Sequence, residues 1–404
     1  VDLLNDLQAR LDELQAQHLR RTRRVVEGPC QSQLRVRQAA GGAAQPMLAF
    51  CSNDYLGLAA HPAVVAALVQ GARELGAGSG ASALINGHNL AHQRLEQRFA
   101  ALQAAHIPSC AALLFGTGYL ANLAVIAALA DRQTEIFSER LNHASLIDGV
   151  RLSGARCQIY AHADLAALEN LLRASQAARK MIVTDAVFSM DGELAPLPGL
   201  LALAQAHGAW LLVDDAHGFG VLGERGRGSL AHHGLRSEHL VYVGTMGKAL
   251  GVAGALVAAH DTVIEWLVQR ARPYVFSTAP PPALAMALEA ALDIVTGAHG
   301  DALRARLGQH IARFRGGLEV SPWRLLPSIT PIQPIVIGDN ERVMAVALAL
   351  QEQGLWVAGI RPPTVPAGTA RLRVTLTAGH EAAQIDRLLG ALNALAARGP
   401  GASP

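Results

Sequence analysis

Lysine is nearly missing from this chain. Of its 34 basic residues only Lys180 and Lys248 are lysine, and the other 32 are arginine. Arginine serves wherever only positive charge is wanted. It cannot serve where a primary amine must become a nucleophile, because the guanidinium stays protonated. Aromatic residues are also scarce, at 4%, which argues against a stacking platform for nucleic-acid bases. A net charge of +2 leaves no excess of positive charge for a nucleic acid or another polyanion. The four cysteines, Cys30, Cys51, Cys110 and Cys157, form no C-x-x-C pair, and no histidine cluster has zinc spacing. Thiols in a reducing compartment are expected, and no metal site. No signal peptide is visible, and Asp2, Asp6, Asp12 and Glu13 argue against a mitochondrial transit peptide. A cytoplasmic location is expected.

One stretch imitates a membrane span. From Ile107 to Ala130 there is no charged residue, long enough to cross a bilayer. Gly116-Thr117-Gly118 and Asn122 interrupt it, so a buried strand, a glycine turn and a buried helix are expected instead, and no membrane association.

The chain has 404 residues, 51% of them apolar and 16% charged, which suits one large and one smaller globular domain. Leu4, Leu7, Leu11 and Leu14 predict an amphipathic helix over 2–20. Phe50–Leu58 reads as a short strand into a turn. A glycine-rich loop at 76–82 leads to a helix at about 90–105. Strands are expected at 109–115, 135–139, 157–161, 180–187, 209–215, 239–244 and 254–259, with helices between them. That alternation predicts an α/β fold, a mainly parallel sheet covered by helices on both faces. Pro280-Pro281-Pro282 marks a break before a smaller α+β domain, with strands at 331–337 and 371–376 and a helix over 381–397. The expected divisions are 1–45 as N-terminal helix and arm, 46–285 as large domain and 286–404 as small domain. The tail Gly399–Pro404 is expected to be disordered.

Lys248 sits in Gly244-Thr245-Met246-Gly247-Lys248-Ala249-Leu250-Gly251, just after an apolar run. This places it in a tight turn at a strand end, where a side chain can face a pocket. A Schiff-base lysine for pyridoxal phosphate (PLP) is one reading and a surface lysine in a glycine loop the other. A Walker A loop is excluded, because Tyr242 and Ala249 stand where glycine and Ser/Thr are needed.

Asp214-Asp215-Ala216-His217-Gly218 ends another buried strand. An acid there can keep a pyridine nitrogen protonated, and His217 can reach the ring's phenolic oxygen. Gly116-Thr117-Gly118-Tyr119 joins a strand to a helix start, a ready phosphate site. It also fits G-x-G-x-x-A, with Glu139 near the position of a ribose-binding acid, so an NAD-dependent oxidoreductase is the rival from another class. That reading gives Lys248, Asp214 and His217 no role. His143, in Asn142-His143-Ala144-Ser145, can lie flat on a cofactor ring, and Ser189, in Asp185-Ala186-Val187-Phe188-Ser189-Met190-Asp191-Gly192 at another strand end, can donate to its oxygen.

In this order, G-T-G-Y, N-H-A-S, F-S-M-D-G, V-D-D-A-H-G-F-G and G-T-M-G-K resemble the α-oxoamine synthases, fold-type I PLP enzymes similar to aspartate aminotransferase. The likeness runs from about Arg20 to Leu395 and includes Ser52-Asn53-Asp54-Tyr55-Leu56-Gly57. It implies Lys248 as the Schiff-base lysine, Asp214 on the pyridine nitrogen, His217 and Ser189 on the phenolic oxygen, and His143 stacked on the ring. Gly118, Tyr119 and Thr245 would hold the phosphate. Arg373 would take the amino-acid carboxylate beside Asn53, and Arg20 and Thr364 would contact substrate. The resemblance also implies a homodimer with shared sites, Ser277 and Thr278 reaching the neighbouring subunit's phosphate. Ile360–Arg373 resembles the branch that joins L-alanine to a pimeloyl thioester with loss of CO2. One stretch departs from the family: Leu84-Ile85-Asn86-Gly87-His88 lacks its usual Ser/Thr-Gly-aromatic run.

Overall fold

The computed structural model describes residues 2–38, 41–319 and 322–397. It divides into two compact units. One comprises Leu58–Ser189 and Leu194–Arg304; the other comprises Val1–Gly57, Met190–Glu193 and Ala305–Pro404.

The larger unit is built on seven strands. Their order is Cys110–Phe115, Ala255–His260, Leu240–Thr245, Ala209–Asp214, Arg179–Asp185, Thr134–Glu139 and Arg156–Tyr160. Each of the seven strands expected between 109 and 259 is present, with ends displaced by at most two residues. Runs such as Leu211-Leu212-Val213 and Leu240-Val241-Tyr242-Val243 are buried without alternation, as a sheet covered on both faces requires. Only Ala255–His260 runs against the rest, pairing antiparallel with both of its neighbours. On one face, Ala121, Val125 and Ile126 of the Gly118–Leu129 helix pack with Leu146, Val150, Ile264 and Leu267 over the sheet.

The uncharged stretch resolves into the Cys110–Phe115 strand and the Gly118–Leu129 helix. No helix among the described residues is long and apolar enough to cross a membrane. Strand direction brings the carboxyl ends Phe115, Glu139, Asp185, Asp214 and Thr245 to one edge of the sheet, where ligands of such folds bind.

The smaller unit holds two four-stranded sheets. In one, Arg24–Glu27, Gln33–Gln38 and Gln45–Ala49 pair antiparallel, and Leu355–Trp356 adds in parallel. The other is antiparallel, in the order Arg324–Leu325, Ile332–Gly338, Ala370–Thr375 and Ala358–Ile360. The expected final helix spans Ala382–Ala397. The first helix, Leu3–Ala16, is shorter than expected, and Leu4, Leu7, Leu11 and Leu14 all stay exposed. The strand expected to begin at Phe50 instead ends at Ala49; Phe50 keeps extended bonding, its N–H to Trp356 O and its carbonyl to Thr375 N–H. The Gly399–Pro404 tail lies outside the described residues.

Candidate active site

Lys248 lies three residues beyond the Leu240–Thr245 strand, in a turn closed by Gly251 N–H donating to Lys248 O at 2.9 Å. Gly251 has φ +69°, and a Cβ there would stand 2.2 Å from Ala59 N, so only glycine fits. The lysine is half-buried, and its charge acts on both His143 and Asp185. Lys180, by contrast, lies near the amino end of its strand, away from the carboxyl edge.

Asp214 is the last residue of its strand and is buried. Its Oδ1 accepts from Ala216 N–H at 3.0 Å, and its Oδ2 accepts from Asn122 Nδ2 at 2.6 Å. The same Asn122 nitrogen reaches Ser145 Oγ at 2.9 Å, and Ser145 Oγ lies 2.8 Å from His143 Nδ1. His143 caps the Ala144–Ser153 helix by accepting Ser145 N–H at Nδ1, which places its proton on Nε2. His143 is exposed. Desolvation by its walls, and then the Lys248 charge, hold its pKa below the ordinary value, while Asp214 opposes them. A neutral ring suits stacking on a cofactor face.

Behind them lies Asp185, paired in register with Asp214. Its Oδ2 accepts His143 N–H at 2.6 Å. Burial, with the Asp214 charge beside it, holds its pKa well above the usual carboxylate range, against the pull of His143 N–H and Lys248. Asn122, Ser145 and Asp185 were not singled out from the sequence. Asn122 was visible there only as a polar interruption of an apolar run.

The next aspartate does something else. Asp215 is fully buried and accepts Tyr242 O–H at 2.6 Å and Ser229 N–H at 2.7 Å. His217 is buried in the turn that follows, and Ser189 is half-buried beyond the Arg179–Asp185 strand.

The glycine turn delivers Gly118 and Tyr119 as the first residues of a helix, with Thr117 Oγ1 capping Leu120 N–H at 3.1 Å. A Cβ on Gly118 would come within 2.3 Å of Thr245 Cγ2. Thr245 Oγ1 is buried with no hydrogen-bond partner among the described residues. Helix-terminal amides and an orphaned hydroxyl at one corner suit a phosphate. Tyr119 packs edge-on to His143 at 6.3 Å and donates its hydroxyl to Asp148. Ser277 and Thr278 are exposed and share a small cavity with Gly116, His88 and His92. The departing loop forms a π-helical turn, Ala83–Gly87, and His88 pairs with Glu96 at 2.9 Å.

Amine, carboxylate, neutral imidazole and phosphate corner together match the aldehyde, ring nitrogen, ring face and phosphate of PLP. The dinucleotide alternative fails on strand order. Its ribose acid must end the strand beside the glycine turn, but Thr134–Glu139 is five places from Cys110–Phe115. Glu139 is already engaged, by His162 Nδ1 at 2.7 Å and Leu141 N–H at 2.5 Å.

In the smaller unit, Arg373 is buried on the Ala370–Thr375 strand. Its Nη1 and Nη2 donate to Asn53 Oδ1 at 3.2 and 3.3 Å, and Nη1 to Thr375 Oγ1 at 3.0 Å. Tyr55 O–H also donates to Asn53, and burial pushes that phenol's pKa up against the opposing Arg373 charge. Arg20 and Thr364 are exposed. Thr364 N–H donates to Arg361 O at 3.1 Å, and Arg361 itself bonds His18 O, two residues before Arg20.

Residues 45–392 match the family described as aminotransferase class I and II. The chain is 60% identical over 395 residues to the 8-amino-7-oxononanoate synthase of Bordetella petrii, covering 98% of each. A serine palmitoyltransferase variant from S. paucimobilis with PLP and myriocin bound superposes with a TM-score of 0.88 at 30% identity, over 98% of this chain and 99% of that one. The 8-amino-7-oxononanoate synthase from Francisella tularensis gives a TM-score of 0.75 at 29% identity, over 87% of this chain and 98% of that one. With the site described above, these matches show that the chain belongs to the aminotransferase class I and II family, in its α-oxoamine synthase branch.

Proposed function

We infer that this chain is a PLP-dependent acyltransferase. It joins L-alanine to a pimeloyl thioester and releases 8-amino-7-oxononanoate, CO2 and the free thiol of the carrier, a step of biotin synthesis. The observation that carries the substrate assignment is the full-length likeness to the Bordetella petrii enzyme.

PLP, when bound, supplies the electron sink that lets an amino acid's α carbon become a nucleophile. The chain's own residues do the rest. Lys248 would anchor the cofactor through its amine and would be the base for the α proton. Asp214 would keep the pyridine nitrogen protonated. His143 would cover one ring face as a neutral imidazole, with Nε2–H available. His217 and Ser189 would hydrogen-bond the phenolic oxygen. Gly118, Tyr119 and Thr245 would hold the phosphate. Arg373, beside Asn53, offers a planar fork to the alanine carboxylate, and Arg20 and Thr364 contact substrate.

The working enzyme is a cytoplasmic homodimer in which Ser277 and Thr278 complete the partner's phosphate site. Exposed Ile85, Trp266 and Phe276 in the larger unit support such an interface.

The test is substrate choice. Carboxyl-labelled alanine is incubated with pimeloyl-, acetyl-, succinyl- and palmitoyl-coenzyme A. Label should leave as CO2 fastest with the pimeloyl donor. Glycine should replace alanine with only modest loss, since one methyl group is worth ~1–3 kcal/mol. Preference for another acyl donor moves the chain to a different branch of the family.

A further inference from the structure

Between the Arg179–Asp185 strand and Leu197 the chain makes a narrow excursion. Val187 and Leu194 form an antiparallel bridge, and Ala195 N–H donates to Ala186 O at 2.9 Å. The tip, Met190–Glu193, belongs to the smaller unit, whereas Ser189 and Leu194 at its neck belong to the larger.

Three side chains grip that tip. The Arg371 guanidinium, itself buried, bonds the Asp191 carboxylate and lies 3.5 Å from Met190 O. Ser328 Oγ and Thr330 Oγ1 donate to Gly192 O at 3.0 and 3.2 Å. Gly192 has φ +67°, and a Cβ there would stand 2.5 Å from Ile332 O, so position 192 admits no side chain. Arg371 is held from behind as well, Nε to Thr369 O and Nη2 to Thr369 Oγ1, each at 3.1 Å. On a strand, residues two apart share a face. Arg371, Arg373 and Thr375 therefore line one side of Ala370–Thr375, so the ion pair and the guanidinium assigned to the substrate carboxylate share one rigid support.

A buried ion pair is a poor source of net stability, because desolvation offsets the attraction. It does fix geometry: Thr369 holds Nε and Nη2 of the planar guanidinium, which aims Nη1 at Asp191 Oδ1 in a way a freely rotating point charge could not. We propose that Arg371 is a positioning residue: through Asp191 it fixes the hairpin tip and so sets where Ser189 presents its hydroxyl to the cofactor. The inference rests on the reading of Ser189 as a partner of the ring oxygen.

The test compares Arg371→Met, Asp191→Asn, Ser189→Ala and the Arg371→Met/Ser189→Ala double variant as holoenzymes. Arg371→Met should lower kcat about tenfold while KM for alanine stays within about twofold, since Arg373 is retained. The visible absorption of the bound cofactor should change in the same direction as in Ser189→Ala. The double variant should be no worse than Ser189→Ala, because both changes act through one hydroxyl. In cofactor-free protein, amide exchange at Met190–Glu193 should quicken about tenfold. Asp191→Asn keeps the side chain's shape and carries the same test if Arg371→Met fails to fold. Additive losses, an unchanged spectrum, or a raised KM at constant kcat would each overturn the proposal and leave Arg371 a structural residue. If the wild type takes up no cofactor that borohydride fixes to Lys248, the proposed function falls with it. A yellow, active wild type with additive variants sinks this inference alone.

Discussion

Asn122 Nδ2 stands 2.6 Å from Asp214 Oδ2 and 2.9 Å from Ser145 Oγ, so one amide joins the acid assigned to the cofactor's nitrogen to the hydroxyl that orients His143. A single side chain thus ties together two of the residues assigned to the cofactor. A hydrogen bond to a charged group is worth about 1.5–3 kcal/mol when buried. Asn122→Leu, close in volume, should therefore lower kcat by about 10–100-fold and weaken cofactor retention, with the fold kept. Near-normal turnover in that variant, with unchanged cofactor dissociation, would show that Asp214 and His143 need no such tie.

Much of this site was legible in the sequence, for physical reasons. Apolar runs ending in Asp214 and Thr245, and a glycine turn after Phe115, announce strand ends, and strand ends of a parallel sheet gather at one edge. The rarity of lysine isolates Lys248. Asn122, Ser145 and Asp185 were not legible, because their partners come from strand register and helix packing rather than spacing. The reading of Glu139 as a ribose acid fails for the same reason: nothing in the local sequence tells that its strand lies far from the glycine turn. The role of the Met190–Glu193 tip was equally hidden, since Arg371 meets Asp191 from far along the chain.

Lys248→Ala should abolish turnover, a loss beyond ~1000-fold, since anchor and base vanish together. Borohydride should fix no cofactor to the variant. Lys180 cannot substitute, because it sits near the opposite end of its strand from Asp185. Mass spectrometry of the reduced protein checks this directly, and label retained on Lys180 would refute it.

Asp214→Asn and Asp215→Asn should separate function from stability. The first removes the charge assigned to the cofactor's nitrogen and should cost most activity at unchanged Tm. The second touches a carboxyl that holds Tyr242 and Ser229, and its pKa is pushed up to about 7 by burial. That pKa lies above the ordinary value of 3.8, so between about pH 4 and 7 the folded state binds a proton that the unfolded state has lost. Stability contributed by this group is therefore complete at low pH and drains away as pH rises through that window. Asparagine does not titrate. The Tm of Asp215→Asn relative to wild type should rise from pH 4 to pH 7 and then level off. A difference that is flat across the window, or of opposite slope, would mean that Asp215 is ionised throughout.

The shared site can be tested by mixing chains. Ser277 and Thr278 are exposed at the end of a short helix, and Thr278 is tied to the glycine-rich loop by a bridge to Ser82. Neither one lies on the Lys248 turn. If they act on the partner's phosphate, a Lys248→Ala chain still supplies a sound Ser277-Thr278 pair, and a Ser277→Ala/Thr278→Ala chain still supplies a sound lysine. Each variant alone should be inactive or nearly so. Their heterodimer should carry one site with both parts intact and recover activity toward half of the wild-type value per dimer. If the pair acted within its own chain, each site of the heterodimer would still carry one lesion and no activity would return. Differently tagged chains, purified through both tags, make the measurement unambiguous, because only heterodimers remain.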